Sequence, residues 1–380
     1  MIQSWQTDLF NLQLSLTVKP MFKYVSSIDQ IRKLVNFSDG TLGRFSIPRG
    51  TRREPVTIPR APFEAEWLQF GEHEPERVIL YLPGGAYVIR MPNFHSGMVS
   101  KLCRHANARA LMAYYRLAPE YPFPACLDDA VLAYQWLLKQ GIPAEKIAIA
   151  GDSAGGGLTL STLLTLRDRK LPMPACAYMM SPLLDVSDHA PSRWKNAMSD
   201  TALPAPKQRA LNPRPLYLGE ADPDDPIVSP INGDFTGLPP LYIQVSDSEM
   251  LLDDSLRLAR RGHTYGVEVQ VDIWRKVPHV WQVAGFLPES SEALDLSFHA
   301  LALGQPPPEY DGHCPFRGLF PFRAEDREFF FGRQALVDKL EGRLMEHGFL
   351  AVLGPSGCGK SSLVLAGLVP ALQARFPRLR

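Results

Sequence analysis

From Arg77 to Trp274 the chain alternates short apolar runs with amphipathic stretches, and few folds accommodate that text. The apolar runs are Arg77–Leu82, Arg109–Tyr115, Lys146–Ala150, Ala175–Met180, Leu241–Val245 and Val267–Trp274. Helix-type segments lie between them at 95–107, 127–140, 155–169 and 252–262. Strands without in–out alternation are buried on both faces, so the pattern predicts an α/β fold, a mostly parallel sheet with helices on both sides. Apolar residues at 45% and charged residues at 21% supply the core this needs. Residues 1–50 read as one or two short helices. Residues 186–226 read as an irregular insertion, because Pro204, Pro206, Pro213 and Pro215 would interrupt any long helix. Gly304–Glu309 is Pro-rich and reads as a stiff linker. The expected organisation is an α/β unit over 1–303, a linker over 304–310 and a separate segment over 311–380.

Composition excludes several classes. Forty Lys and Arg balance 40 Asp and Glu, which argues against binding nucleic acid or an anionic membrane by bulk charge. The five Cys are scattered with no Cys-x-x-Cys pair, so neither a disulfide framework nor a structural zinc site is expected, and a reducing, cytoplasmic setting fits. No apolar run is long enough to span a membrane, and the first ten residues lack the basic start of a signal peptide.

The chemistry concentrates at Gly151-Asp-Ser-Ala-Gly155, which follows an apolar strand and opens a helix. A strand-to-helix turn this tight needs glycines on either side of the serine. It lifts the Ser153 hydroxyl above the sheet and aims the N–H of Ala154 at the same point. Gly-x-Ser-x-Gly arises by chance in about one chain in eight of this length, so its placement carries the weight. In this architecture the acid and then the histidine follow the serine. His189 lies in the insertion, His263 and His299 in helices and His313 beyond the linker. His279, in a loop after the strand ending at Trp274, sits at the carboxyl edge where such sheets bind ligands. The acid should leave the preceding strand, where Asp247, Glu249, Asp253 and Asp254 are candidates. Asp253 and Asp254 begin a helix and suit its positive end; Asp247 and Glu249 lie in the loop. Oxyanion donors must come from another loop, and Leu80-Tyr-Leu-Pro-Gly84-Gly85-Ala-Tyr87 ends an early strand with two bare N–H groups.

Residues 76–300 resemble the bacterial hormone-sensitive-lipase-like carboxylesterases, a branch of the α/β-hydrolases. The matching blocks run in order: Pro83–Tyr87, Tyr115–Glu120 with Pro122–Ala125 and Asp128–Ala130, Gly151–Gly156, Ser181-Pro182, Asp222-Pro223 with Ser229-Pro230, Leu252–Asp254 and Pro278-His279. The resemblance implies Ser153 as nucleophile, His279 as base and Glu249 as acid, with Gly84, Gly85 and Ala154 as oxyanion donors. It also implies a small acyl-ester substrate, no metal or cofactor, a lid built from about 1–45 and 186–226, and pairing into a homodimer through Val267–Trp274. Two departures stand out: Pro83 replaces the family's loop histidine, and four prolines break the insertion.

A second motif lies near the end of the chain. Gly354-x-x-x-x-Gly359-Lys360-Ser361 sits between a strand-like run and a helix-like run and fits a phosphate-binding loop. Its backbone N–H groups would cradle phosphates, Lys360 would reach the outer ones and Ser361 would hold Mg²⁺. With Cys314–Phe322 and Phe329–Arg333, it resembles the opening of the novel STAND signalling ATPases over 313–380. The strand carrying a second Mg²⁺-orienting acid is absent from the sequence, so ATP and Mg²⁺ are expected only where such a domain is complete. The alternative reading of the whole is the effector arm of a STAND-type signalling or defence protein.

Overall fold

The computed structural model describes residues 3–302 apart from 73–74, 76, 188 and 206–209, together with a few positions beyond 336. The chain divides into two compact units, Met1–Gln305 and Pro306–Arg380. The Gly354–Ser361 motif lies outside the described residues.

Eight strands form the first unit's sheet: β1 (Thr51–Val56), β2 (Glu64–Phe70), β3 (Arg77–Leu82), β4 (Ala108–Tyr114), β5 (Ile147–Asp152), β6 (Cys176–Met180), β7 (Leu241–Ser246) and β8 (Val269–Trp274). Their order is β1-β2-β4-β3-β5-β6-β7-β8. The β1–β2 and β2–β4 pairs are antiparallel, and every later pair is parallel. The α/β-hydrolase architecture is therefore present. The first two strands were not expected. Arg52, Arg53 and Glu54 beside Pro55 disguise β1, because an edge strand tolerates charge and proline that a central strand rejects.

Successive residues of β3 enter opposite cores. Val78, Leu80 and Leu82 join one apolar cluster, and Ile79 and Tyr81 the other. The first cluster is completed by α6 (Ala125–Lys139) and α7 (Ala154–Asp168), with Leu258 from α10 (Leu252–Thr264). On the other face lie α5 (Pro92–Ala106) and α11 (Pro288–Ala302). Two filled faces hold the carboxyl ends of β3, β5, β7 and β8 at one edge. Among the described residues, no helix is long and apolar enough to cross a membrane.

The first fifty residues form α1 (Trp5–Leu16), α2 (Val18–Tyr24), α3 (Ile28–Ser38) and the short α4 (Arg44–Ser46), more helix than the sequence suggested. Helix α3 buries Ile31 and Val35 against Val88 and Ile89 of the loop after β3, where Met21, Phe22, Leu211 and Leu216 also pack. Arg32 fastens this contact by donating to the carbonyls of Val88 and Ala118 while pairing with Glu120. The insertion contains α8 (Ser192–Lys195) and α9 (Pro213–Leu218). Pro213 and Pro215 occupy the first turn of α9, where a missing N–H costs nothing; they start a short helix and do not merely prevent one.

Candidate active site

Ser153 sits between β5 and α7 with φ +51° and ψ −119°, a strained conformation for a side-chain-bearing residue. The flanking glycines make it possible. A Cβ on Gly155 would lie 1.9 Å from the Leu82 carbonyl oxygen, and one on Gly151 would lie 2.4 Å from that of Gly155. The Ser153 N–H donates to Met180 O at 2.8 Å and its carbonyl accepts from Leu183 N–H at 2.9 Å, so β6 fixes the turn from below.

His279 follows β8 and bridges two partners. Its Nε2 lies 2.9 Å from Ser153 Oγ and its Nδ1 2.6 Å from Glu249 Oε2. Glu249 leaves the end of β7 and is 1% exposed. Its other oxygen, Oε1, accepts from Ser181 Oγ at 2.9 Å and from the Ser246 N–H at 2.7 Å. Burial disfavours charge on His279, but the Glu249 hydrogen bond and the carboxylates of Glu249, Asp200 and Asp152 outweigh it and raise its pKa above the ordinary imidazole value. Asp247, the other loop candidate, lies elsewhere: its Oδ1 accepts from the exposed Lys276 N–H at 2.7 Å. Asp253 and Asp254 tie down the insertion. Asp253 exchanges hydrogen bonds with Ser192, and Asp254 accepts from the N–H groups of Leu184 and Asp185 and from Arg193. His263 lies in α10.

The oxyanion loop departs from expectation at Gly84. Its N–H donates to Asp152 Oδ1 at 2.9 Å, so it is already used. A Cβ there would sit 2.1 Å from Asp152 Oδ2. Gly84 is thus a bracing contact; the N–H groups of Gly85 and Ala86 have no acceptor among the described residues, nor has that of Tyr87. Gly85 and Ala86 have positive φ, +132° and +52°. Asp152 also accepts from Tyr81 Oη at 2.6 Å and pairs with His95 Nε2 at 3.2 Å. All three side chains are buried. Burial opposes the charge on each partner of this pair, yet their mutual attraction raises the His95 pKa and, with the Tyr81 and Gly84 hydrogen bonds, lowers that of Asp152. Tyr115 Oη donates to the Pro83 carbonyl from the other side. The loop is therefore held by Asp152 and Tyr115, with proline at position 83.

Sequence reasoning missed Asp152, His95, Ser181 and the residues around Asp200. Asp152 and Ser181 stood inside quoted motifs without a role; nothing local signalled His95 or Asp200. No group of three or more His, Cys, Asp or Glu side chains among the described residues is arranged to hold a metal ion.

Residues 79–283 match the family described as the alpha/beta hydrolase fold, and residues 315–379 match novel STAND NTPase 1. An acetyl-hydrolase of Streptomyces hygroscopicus is 38% identical over 256 residues, covering 67% of this chain and 83% of that protein. The carboxylesterase/phospholipase LipF of Mycobacterium tuberculosis is 32% identical over 293 residues, 73% of this chain and 76% of that one. Among solved structures, that of EstE5 soaked by p-nitrophenyl butyrate superposes with a TM-score of 0.72 at 36% identity, covering 79% of this chain and 98% of the other. An esterase from the bacterial hormone-sensitive lipase family gives 0.72 at 34% identity, covering 80% and 99%.

Proposed function

Because the chain belongs to the α/β-hydrolase fold family and is a carboxylic ester hydrolase of the hormone-sensitive-lipase type, we propose that it hydrolyses short acyl esters through an acyl-enzyme carried on Ser153. The observation that carries this reading is His279, in hydrogen-bond reach of Ser153 Oγ at 2.9 Å and of Glu249 Oε2 at 2.6 Å. Ser153 Oγ attacks the ester carbonyl as His279 Nε2 removes its proton. The proton then passes to the departing alkoxide, leaving an alcohol and the acyl-enzyme. A water, deprotonated by the same nitrogen, releases the acid and restores the serine. Glu249 holds the proton on Nδ1, which leaves Nε2 free to accept. The negative oxygen of each tetrahedral intermediate is taken by the N–H groups of Gly85, Ala86 and Ala154.

The preference for short acyl groups draws support from the acetyl-hydrolase relative and from the butyrate ester soaked into EstE5. A series of nitrophenyl esters from acetate to palmitate tests both parts. The acetate or butyrate ester should turn over fastest, and Ser153→Ala should abolish turnover of all. Preference for palmitate would refute the chain-length assignment, and persisting turnover in the variant would refute the nucleophile.

The match of residues 315–379 to a STAND NTPase supports a second reading, in which the esterase is an arm of a nucleotide-responsive protein. Measured on a chain in which that domain is complete, binding of ATP that Lys360→Ala removes would support it; absence of binding there would count against it.

A further inference from the structure

The insertion before β7 contains one turn whose polar groups converge on the loop that carries Glu249. Asn196 Nδ2 donates to the carbonyls of Asp247 at 3.1 Å and Glu249 at 2.9 Å. Ser199 Oγ donates to the Ser248 carbonyl at 2.9 Å. Asp200 Oδ2 accepts from the Met250 N–H at 3.0 Å, while its Oδ1 accepts from the N–H groups of Ala202 and Leu203. Four consecutive residues, 247 to 250, are thus each gripped through the backbone by side chains 196 to 200. Asp200 is 1% exposed, and its carboxylate bonds only to backbone N–H groups. A buried carboxylate is costly unless its partners are fixed, so such a residue needs a reason to be there. The turn is held in its own right by α2: Lys19 Nζ donates to the carbonyls of Ala197 at 2.9 Å and Asp200 at 2.6 Å.

We propose that Asn196, Ser199 and Asp200 form a clasp that positions Glu249 against His279, and that Lys19 makes the clasp depend on docking of the N-terminal helices. The clasp rests on the triad reading above and deepens it. Three of its bonds meet loop carbonyls and one meets a loop N–H, so together they oppose both translation and rotation of the Glu249 peptide. None touches the reacting atoms; the three residues act through Glu249. The consequence is a link between the first helices and catalysis. When α2 lifts, Lys19 leaves, the turn relaxes, and the acid loses its aim while Ser153 and the oxyanion loop stay in place.

The test uses the full chain and an acetate or butyrate nitrophenyl ester. Asn196→Ala and Asp200→Asn should each lower kcat by about 10- to 100-fold, the range a misplacement on the order of 1 Å produces, with KM changed by less than about threefold. Lys19→Gln should give a smaller loss of the same kind. Each variant is then combined with Glu249→Gln. A clasp acting through Glu249 adds nothing once the carboxylate is gone, whereas a general loss of packing adds fully. Asp200→Asn has a second readout. His279 is faced by Glu249 from the loop after β7, by Asp152 at the end of β5 and by Asp200 from the insertion. Removing one of these negative charges should move the acid limb of kcat/KM to lower pH. Should Asp200→Asn fail to fold, Asn196→Ala and Lys19→Gln carry the test, since neither side chain is fully buried. Turnover within twofold of wild type in both, or losses that multiply with Glu249→Gln, would overturn the clasp. Undiminished turnover in Glu249→Gln alone would sink the acid assignment on which it rests.

Discussion

Glu249→Gln changes one oxygen to an amide nitrogen, and the surroundings dictate the outcome. Three donors converge on this carboxylate: Ser246 N–H and Ser181 Oγ on one oxygen and His279 Nδ1 on the other. A glutamine has one acceptor oxygen to share. Ser181 can rotate its hydroxyl and accept, but the buried Ser246 N–H cannot turn. Pointing the amide nitrogen at that N–H leaves two donors facing each other, at a cost of about 1–3 kcal/mol. The amide oxygen therefore stays with Ser246, and its nitrogen faces His279. Nδ1 must then accept, which puts the imidazole proton on Nε2, where it blocks removal of the Ser153 proton. A wrong tautomer of this kind lowers kcat by about 10⁴-fold, or ~5 kcal/mol of barrier. Asp247→Asn is the matched control. Its partner is the Lys276 N–H, which an asparagine oxygen still accepts, so kcat should stay within about twofold of wild type, as for most exposed substitutions. Steady-state kinetics on one nitrophenyl ester decide the matter. Equal losses in the two variants, or a Glu249→Gln enzyme within tenfold of wild type, would refute the reasoning.

Ser153→Ala and His279→Ala should each lower kcat by several orders of magnitude, about 10⁴ or more, and the double variant should be no worse than either; multiplied losses would mean that the two do not act as one unit. The acid limb of kcat/KM should have its midpoint above the ordinary imidazole value. Glu249 and the neighbouring carboxylates favour the imidazolium, and only neutral His279 accepts the proton, so activity falls as pH drops through that raised value. A midpoint at or below the ordinary value would mean that burial dominates. Gly84→Ala should displace the loop from Asp152 and lower kcat by about 10²-fold, comparable to loss of one oxyanion donor, with a smaller effect on KM. Wild-type turnover in that variant would show that the Asp152 contact does not hold the oxyanion N–H groups.

How much of the molecule is legible in its sequence depends on how local each constraint is. The turn at Ser153 was legible because close approach of Leu82 O and Gly155 O leaves no room for a Cβ at Gly155 or Gly151, and the glycines record that in the chain itself. His279 was legible by order and by its place after an apolar strand. Which carboxylate meets His279 was not, since Asp247 and Glu249 both leave β7. They differ only in that Asp247 turns to the Lys276 N–H at the edge, while Glu249 turns inward beneath Ser181. The oxyanion loop was illegible in one detail for the same reason. Two adjacent glycines present equal N–H groups on paper, and a carboxylate 68 residues away decides which is spent. The insertion was least legible. Its lack of periodicity and its prolines read only as an irregular insertion, yet an irregular backbone leaves more side chains free to bond elsewhere than a helix does. Asn196, Ser199 and Asp200 use that freedom on a loop some 50 residues on, the loop that carries Glu249.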